Sequence, residues 1–250
     1  MREFLFAARS CLGFLTTIPV GISMEGLSAL GKRLYLFPVI GSVIGVLIGC
    51  VGYLFELFLP SSIASVVIIV SLYYLTGINH LDGLADFGDG VVAHGSREKK
   101  VGAMRDVSLG IGGVVFCVIM ILGLFAAINE ILTDIFLLAM IAAEVSAKQA
   151  MLTISAFGKS IHPGLGSIMI DDTGFREFVI GLAFSIAVCW VAFADTGLLM
   201  LGVAIGFSFV VLCTANRNFG GISGDVIGAT NEIARLVALL VAGAWVVNWV

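Results

Sequence analysis

Residues 76–113 read TGINHLDGLADFGDGVVAHGSREKKVGAMRDVSLGIGG, and in a chain that is otherwise mostly hydrocarbon they gather acids, bases and glycines in one place. Asp82, Asp86 and Asp89 recur at i, i+4 and i+7, which puts them within roughly 60° of arc on one helix face. Two unit charges about 5 Å apart repel by roughly 3 kcal/mol at an effective dielectric near 20, so a bare trio beside a membrane calls for a cation or for protons. Mg²⁺ takes oxygen ligands and typically sits between one or two carboxylates and substrate phosphates, which points to phosphoryl chemistry rather than a closed structural site. A solvated acidic loop is the plain alternative. It has no use for Asn79, His80, Gly83, Gly88 and Gly90 in the same dozen residues.

The surrounding composition sets the class. Apolar residues make up 60% of the 250 positions and charged residues 12%, and mean hydropathy is +1.13, as in a polytopic integral membrane protein of the all-α class. A net charge of −4 with no run of basic residues argues against a nucleic-acid partner. Cys11, Cys50, Cys117, Cys189 and Cys213 stand apart with no C-x-x-C pair, as inert thiols do. Arg9 interrupts what would be a signal-peptide core, and the N-terminus reads as retained.

Working outward, residues 3–18 form an amphipathic or re-entrant helix ending before Pro19. About seven transmembrane helices are expected, at 34–59, 63–78, 109–128, 135–157, 178–195, 197–213 and 234–250. The fifth and sixth could also be one tilted pair turning at Asp195, Thr196 and Gly197. Gly41, Gly45 and Gly49 line one side of the first span at four-residue spacing and favour close helix packing. With residues 1–33 in the cytoplasm, all of the 13 Lys and Arg except Lys148 fall on or near that side. The positive-inside rule then predicts a cell-membrane protein with its acidic stretch cytoplasmic. No soluble domain is left over, so residues 1–250 are read as a single membrane-embedded domain.

Three further polar groups stand out. Glu144 and Lys148 lie i, i+4 within a span, where a structural ion pair and a substrate contact by Lys148 both fit. Lys159 and His162 share a loop, in which a lone His is commonly incidental. Residues 216–232 set Arg217, Asp225, Asn231 and Glu232 among Gly220, Gly221, Gly224 and Gly228. Glycines of this kind let backbone N–H groups approach an anion, and Asp225 could reach a metal. Asp225 also reads naturally as a helix N-cap.

LTGINHLDGLADFGDG closely resembles the T-G-x-x-H-L-D-G-L-A-D-x-x-D-G signature of the cobalamin synthase (adenosylcobinamide-GDP ribazoletransferase) family. MRDVSLGIGG is similar to that family's M-K-D-S-R-I-G-x-x-G segment and GGISGDVIGATNEI to its G-G-x-T-G-D-x-x-G-A-x-x-E segment, while FLTTIPV and FPVIGSVIG resemble its N-terminal pattern. Arg105 replaces the family's Lys, and Val107 and Ser108 stand where it has Ser-Arg, so one expected cation is missing, with Arg97, Lys99 and Arg217 as substitutes. The resemblance implies a membrane enzyme that joins adenosylcobinamide-GDP to α-ribazole or its 5′-phosphate, releases GMP and requires Mg²⁺. On that reading Asp82, Asp86 and Asp89, with Asp106 and Asp225, hold the metal. Asn79, Arg97, Arg105, Lys148, Arg217, Gly221 and Gly224 contact substrate. His80 is a candidate general base, although on an unbroken helix it points about 160° away from Asp82 and needs the glycines to break the helix.

Rival readings match less of the chain. CDP-alcohol phosphotransferases continue D-G-x-x-A with Arg, which DGLAD lacks, and aromatic-acceptor prenyltransferases need one more residue between Asn79 and Asp82. An ion transporter should repeat ionisable residues at mid-membrane depth in several helices, whereas only Glu144 and Lys148 are expected there.

Overall fold

The computed structural model describes residues 2–131 and 133–247. Among these the regular elements are all helices, with no strand and one isolated bridge, between Ser160 and Ile222. The amphipathic N-terminal segment is helix α1 (Arg2–Leu15), which buries Ala7, Ser10, Cys11 and Leu15 along one face and packs on α2 (Met24–Gly31). It continues into the bundle through Phe14, whose ring stacks on Phe37 at 6.1 Å.

Helix α3 (Leu36–Glu56) carries the glycine stripe, and the stripe has a specific partner in α8 (Thr133–Phe157). A Cβ on Gly41 would lie 2.8 Å from the Glu144 carbonyl oxygen, and one on Gly45 would lie 2.6 Å from Ile141 Cα. Without a hydrophobic difference between helix surface and lipid tail, such close backbone packing supplies the dispersion contacts that hold spans together. Helix α8 is enclosed by α3, α10 (Phe175–Asn218) and α11 (Gly224–Val247), so every residue from Ala142 to Ser155 is buried.

A straight 44-residue helix would run about 66 Å, twice the roughly 30 Å of a hydrocarbon core, so α10 has to break. It does so at Phe193 and Ala194, where φ/ψ leave the helical region and Ala194 takes φ +43°. A Cβ on Gly197 would meet the Cys189 carbonyl, a contact that eight residues of continuous helix would separate by about 12 Å. The legs, 175–192 and 195–218, therefore fold back on each other. Phe157 meets both, Phe178 at 5.1 Å and Phe209 at 5.7 Å. The reversal falls one residue before the expected turn at Asp195, Thr196 and Gly197.

Helix α4 (Ser61–Thr76) meets α5 (Asn79–Val92) at 95° through Gly77, whose φ of +73° suits a residue without a side chain. The chain after α1 covers the end of α4: Thr17 N–H donates to the Leu75 carbonyl at 2.7 Å. Helices α6 (Arg97–Met104), α7 (Ile111–Asn129) and α9 (Leu165–Asp171) complete the set. By length and composition, α3, α7, α8, α10 and Gly224–Ala244 of α11 can cross a membrane, as can the bent α4–α5 pair taken together, and α10 does so as a hairpin of its two legs. The acidic helix α5 meets this test only together with α4. The last expected span begins too late, since α11 starts at Gly224, and its final three positions, 248–250, lie outside the described residues.

Candidate active site

Helix α5 is continuous from Asn79 to Val92, and the glycines of the acidic stretch serve packing rather than a break. A Cβ on Gly83 would lie 2.8 Å from the Asp225 carbonyl oxygen on α11, and one on Gly88 would lie 3.0 Å from the Gly112 carbonyl oxygen on α7. Wedged there, α5 buries Gly83, Leu84, Phe87 and Gly88 and turns its opposite face outward, leaving Asp82 exposed and Asp86 and Asp89 half-buried. The i, i+4, i+7 face is real.

The carboxylates on it are not equivalent. Asp89 accepts backbone N–H groups from Gly110 at 2.7 Å and Gly113 at 2.8 Å, so it is committed to the N-terminus of α7, where a carboxylate satisfies orphan donors and complements the helix dipole. Asp86 is pushed up to about 7 by burial and then by the charges of Asp225, Asp82 and Asp89. The cluster that strains it therefore contains Asp225, brought from more than a hundred residues away by α11. Asp106 is not among those charges; its Oδ1 accepts the Ser108 N–H at 2.8 Å in an exposed turn after α6. Among the described residues no three His, Cys, Asp or Glu side chains form a ready metal cage. Asp82, Asp86 and Asp225 nevertheless offer the hard oxygen donors that Mg²⁺ prefers when substrate phosphate completes the shell.

Asp225 is not the N-cap of α11. Ser223 is: its Oγ accepts the Val226 N–H at 3.4 Å and donates to Asp225 Oδ2 at 3.1 Å. Asp225 in the first turn is left to line two cavities. One, of about 390 Å³, is walled by Phe14, Phe37, Met151 and Met169, with Asn79, His80, Gly224 and Asp225 as its polar members. The other, of about 300 Å³, shares Gly224 and Asp225 and adds His162, whose Nδ1 faces the Pro163 carbonyl and whose buried Nε2 has no partner. Of the expected phosphate-approaching glycines, Gly224 borders both cavities, but Gly221 is buried, with a Cβ position 2.5 Å from the Lys159 carbonyl oxygen. Its smallness admits the Ser160–Ile222 bridge, not an anion.

On the unbroken α5, His80 points away from the acids and toward α11, as its spacing from Asp82 dictates. It is buried, its pKa lowered to about 4 by burial and then by the Lys148 charge, and Asn231 Nδ2 lies 3.2 Å from its Nδ1. Behind Asn231 is a cluster that the sequence reading dispersed. Lys148 Nζ pairs with Glu144 at 2.6 Å, Arg235 pairs with Glu144 and, at 2.6 Å, with Glu232, and the Tyr73 hydroxyl donates to Glu232 at 3.0 Å. Two acids and two bases, all buried, cancel in charge. Lys148 has no surface to offer substrate, and Arg235, expected near the cytoplasmic face, sits in the bundle core. The overlooked signal was the i, i+3 spacing of Glu232 and Arg235 at the start of an apolar run.

Basic groups collect at the other end of α5. The guanidinium of Arg97 approaches the Arg217 carbonyl at 3.4 Å and Lys100 Nζ donates to Asn218 at 2.6 Å, docking α6 on the end of α10. Arg97, Arg105 and Arg217 remain exposed.

Residues 7–243 match the family described as Cobalamin-5-phosphate synthase. The chain belongs to that family. It is 49% identical over 251 residues to an adenosylcobinamide-GDP ribazoletransferase of Methanococcoides burtonii, covering 96% of this chain and 93% of that one. To the enzyme of the same name from Methanosarcina barkeri it is 42% identical over 259 residues, covering 96% and 92%. To that of Geotalea daltonii it is 31% identical over 231 residues, covering 92% and 93%. No solved structure matches the chain.

Proposed function

We propose that the chain is the Mg²⁺-dependent membrane transferase that joins adenosylcobinamide-GDP to α-ribazole or its 5′-phosphate, with GMP as the second product. The observation that carries this reading is the convergence of Asp82 and Asp86 from α5 with Asp225 from α11, next to a cavity of about 390 Å³ whose walls are mostly apolar. Cavities of about 300–1,000 Å³ with few polar groups suit ligands of nucleoside size.

Asp82 and Asp86 are the first choice to hold the cation, with Asp225 beside them; Asp89 contributes mainly by anchoring α7, and Asp106 lies outside this core. Bound there, Mg²⁺ would neutralise charge developing on the diphosphate. The exposed guanidinium groups of Arg97, Arg105 and Arg217, at the far end of α5, attract the diphosphate toward the acidic face of that helix. A ribose hydroxyl of the acceptor, whether or not the acceptor carries its 5′-phosphate, forms the new bond to the phosphorus nearer the corrinoid as the bond to GMP breaks. The hydroxyl proton leaves on the side of Asp225, which lines both cavities. Basic residues of α6 and of the end of α10 share a side with α5, which supports a cytoplasmic orientation in the cell membrane.

The test is incubation of the purified protein in detergent with adenosylcobinamide-GDP, Mg²⁺ and each form of α-ribazole, followed by mass analysis. GMP and a corrinoid carrying the complete nucleotide loop are expected. Absence of product with either form would remove the proposal.

A further inference from the structure

The buried ion cluster is connected to the larger cavity by one side chain, and that side chain can be oriented in one way only. Glu232 accepts from Arg235 Nη1 at 2.6 Å, Tyr73 Oη at 3.0 Å and Asn231 Nδ2 at 2.8 Å. A carboxylate with three donors is an acceptor alone, so the Asn231 amide must turn its NH₂ toward it. The second N–H of that NH₂ is directed at His80 Nδ1 at 3.2 Å. Turning the amide over would set its oxygen against the Glu232 carboxylate. The cost of the observed orientation is visible, since Asn231 Oδ1 is buried without a partner. The amide is held as a double donor. His80 Nδ1 therefore accepts, the ring proton resides on Nε2, and Nε2–H is what His80 has left for the cavity it lines.

His80 lines that cavity as a buried residue, whereas Asp225 is only partly buried. His80 packs on Gly228, one turn further along α11, whose Cβ position is 3.2 Å from His80 Cα. A nucleoside whose reacting end meets Asp225 would carry its base inward, to the level of His80 and among Phe14, Phe37, Met151 and Met169.

We propose that Asn231 is a positioning residue that fixes His80 as a hydrogen-bond donor, and that His80 Nε2–H recognises the unsubstituted ring nitrogen of the benzimidazole base in the acceptor nucleoside. This assigns His80 to acceptor specificity rather than to proton removal, and it rests on the transferase reading above. A nucleoside with a CH in place of that nitrogen would leave the Nε2–H unpaired.

The test compares α-ribazole with its indole counterpart, in which that nitrogen is CH, as substrates at saturating adenosylcobinamide-GDP. Wild type should favour α-ribazole in kcat/KM by at least tenfold. His80→Leu should bring the ratio to within about twofold, with KM for adenosylcobinamide-GDP unchanged, while His80→Gln, which keeps an N–H donor at a similar reach, should restore several-fold preference. Product from both nucleosides at equal efficiency in wild type, or a preference that survives His80→Leu, would overturn the inference while leaving the transferase reading in place. No product from either nucleoside in wild type would overturn both. The wild-type ratio decides the matter even if a variant fails to fold.

Discussion

Asp86 carries the sharpest consequence of bringing three other carboxylates to one spot. Its raised pKa means that the native state of the metal-free protein binds more protons than the unfolded chain between about pH 4 and 7, so stability falls as pH rises through that window. Asp86→Asn removes the contribution. With chelator present, the variant and wild type should melt together only at or below about pH 4, and the variant should melt progressively higher than wild type up to about pH 7 and remain so at pH 8. Adding Mg²⁺ at pH 8 should then raise the melting temperature of wild type more than that of the variant. A difference between the two that does not change with pH would remove Asp86 from a strained cluster. The trio containing Asp86 could be read from spacing alone, because periodicity depends only on the chain itself. That Asp89 belongs to α7, and that Ser223 rather than Asp225 caps α11, could not, because each depends on which backbone N–H groups another segment presents.

At the scale of elements, the glycines were legible as special but not in their purpose. Sequence offers the same residue for a bend, a phosphate approach or a close crossing. Here Gly77 makes the bend, Gly83 the crossing of α5 on α11, and Gly221 the approach of the Lys159 segment. Gly83→Val would drive α5 off the Asp225 backbone. Overpacking of that kind costs about 1–3 kcal/mol, and a displacement of about 1 Å costs roughly a hundredfold in rate. A drop of several degrees in melting temperature with at least a hundredfold loss of turnover is expected. Gly102→Ala on α6, where nothing lies within 4 Å, serves as the comparison and should stabilise by up to about 1 kcal/mol with normal turnover. Normal turnover in Gly83→Val would show that the α5–α11 crossing does not set the site.

Across the whole molecule, composition alone established an all-helical membrane protein, and the break in α10 follows from helix length against membrane thickness. The buried ion cluster did not follow. Charged residues in a sequence mark the ends of spans, and Glu232 and Arg235 looked like such an end until their mutual neutralisation with Glu144 and Lys148 placed them in the core. The proposed orientation places Ser96, before α6, on the cytoplasmic side and Asp134, at the start of α8, on the other. In a background with the native cysteines replaced, Ser96→Cys in intact cells should react only with membrane-permeant reagents and Asp134→Cys also with impermeant ones. The reverse pattern would invert the topology.

The claim on which the rest depends is that α5 and α11, far apart in sequence, build one catalytic site. It is tested most directly by the double-mutant cycle of Asp86→Asn and Asp225→Asn, read as GMP release at saturating substrates and Mg²⁺. Each single variant should melt near or above wild type and lose at least tenfold in turnover, about 1.4 kcal/mol or more of transition-state stabilisation. Because the two carboxylates act on the same reacting group, the double variant should be little worse than the poorer single one. Losses that simply multiply, or full activity in either single variant, would contradict a shared site.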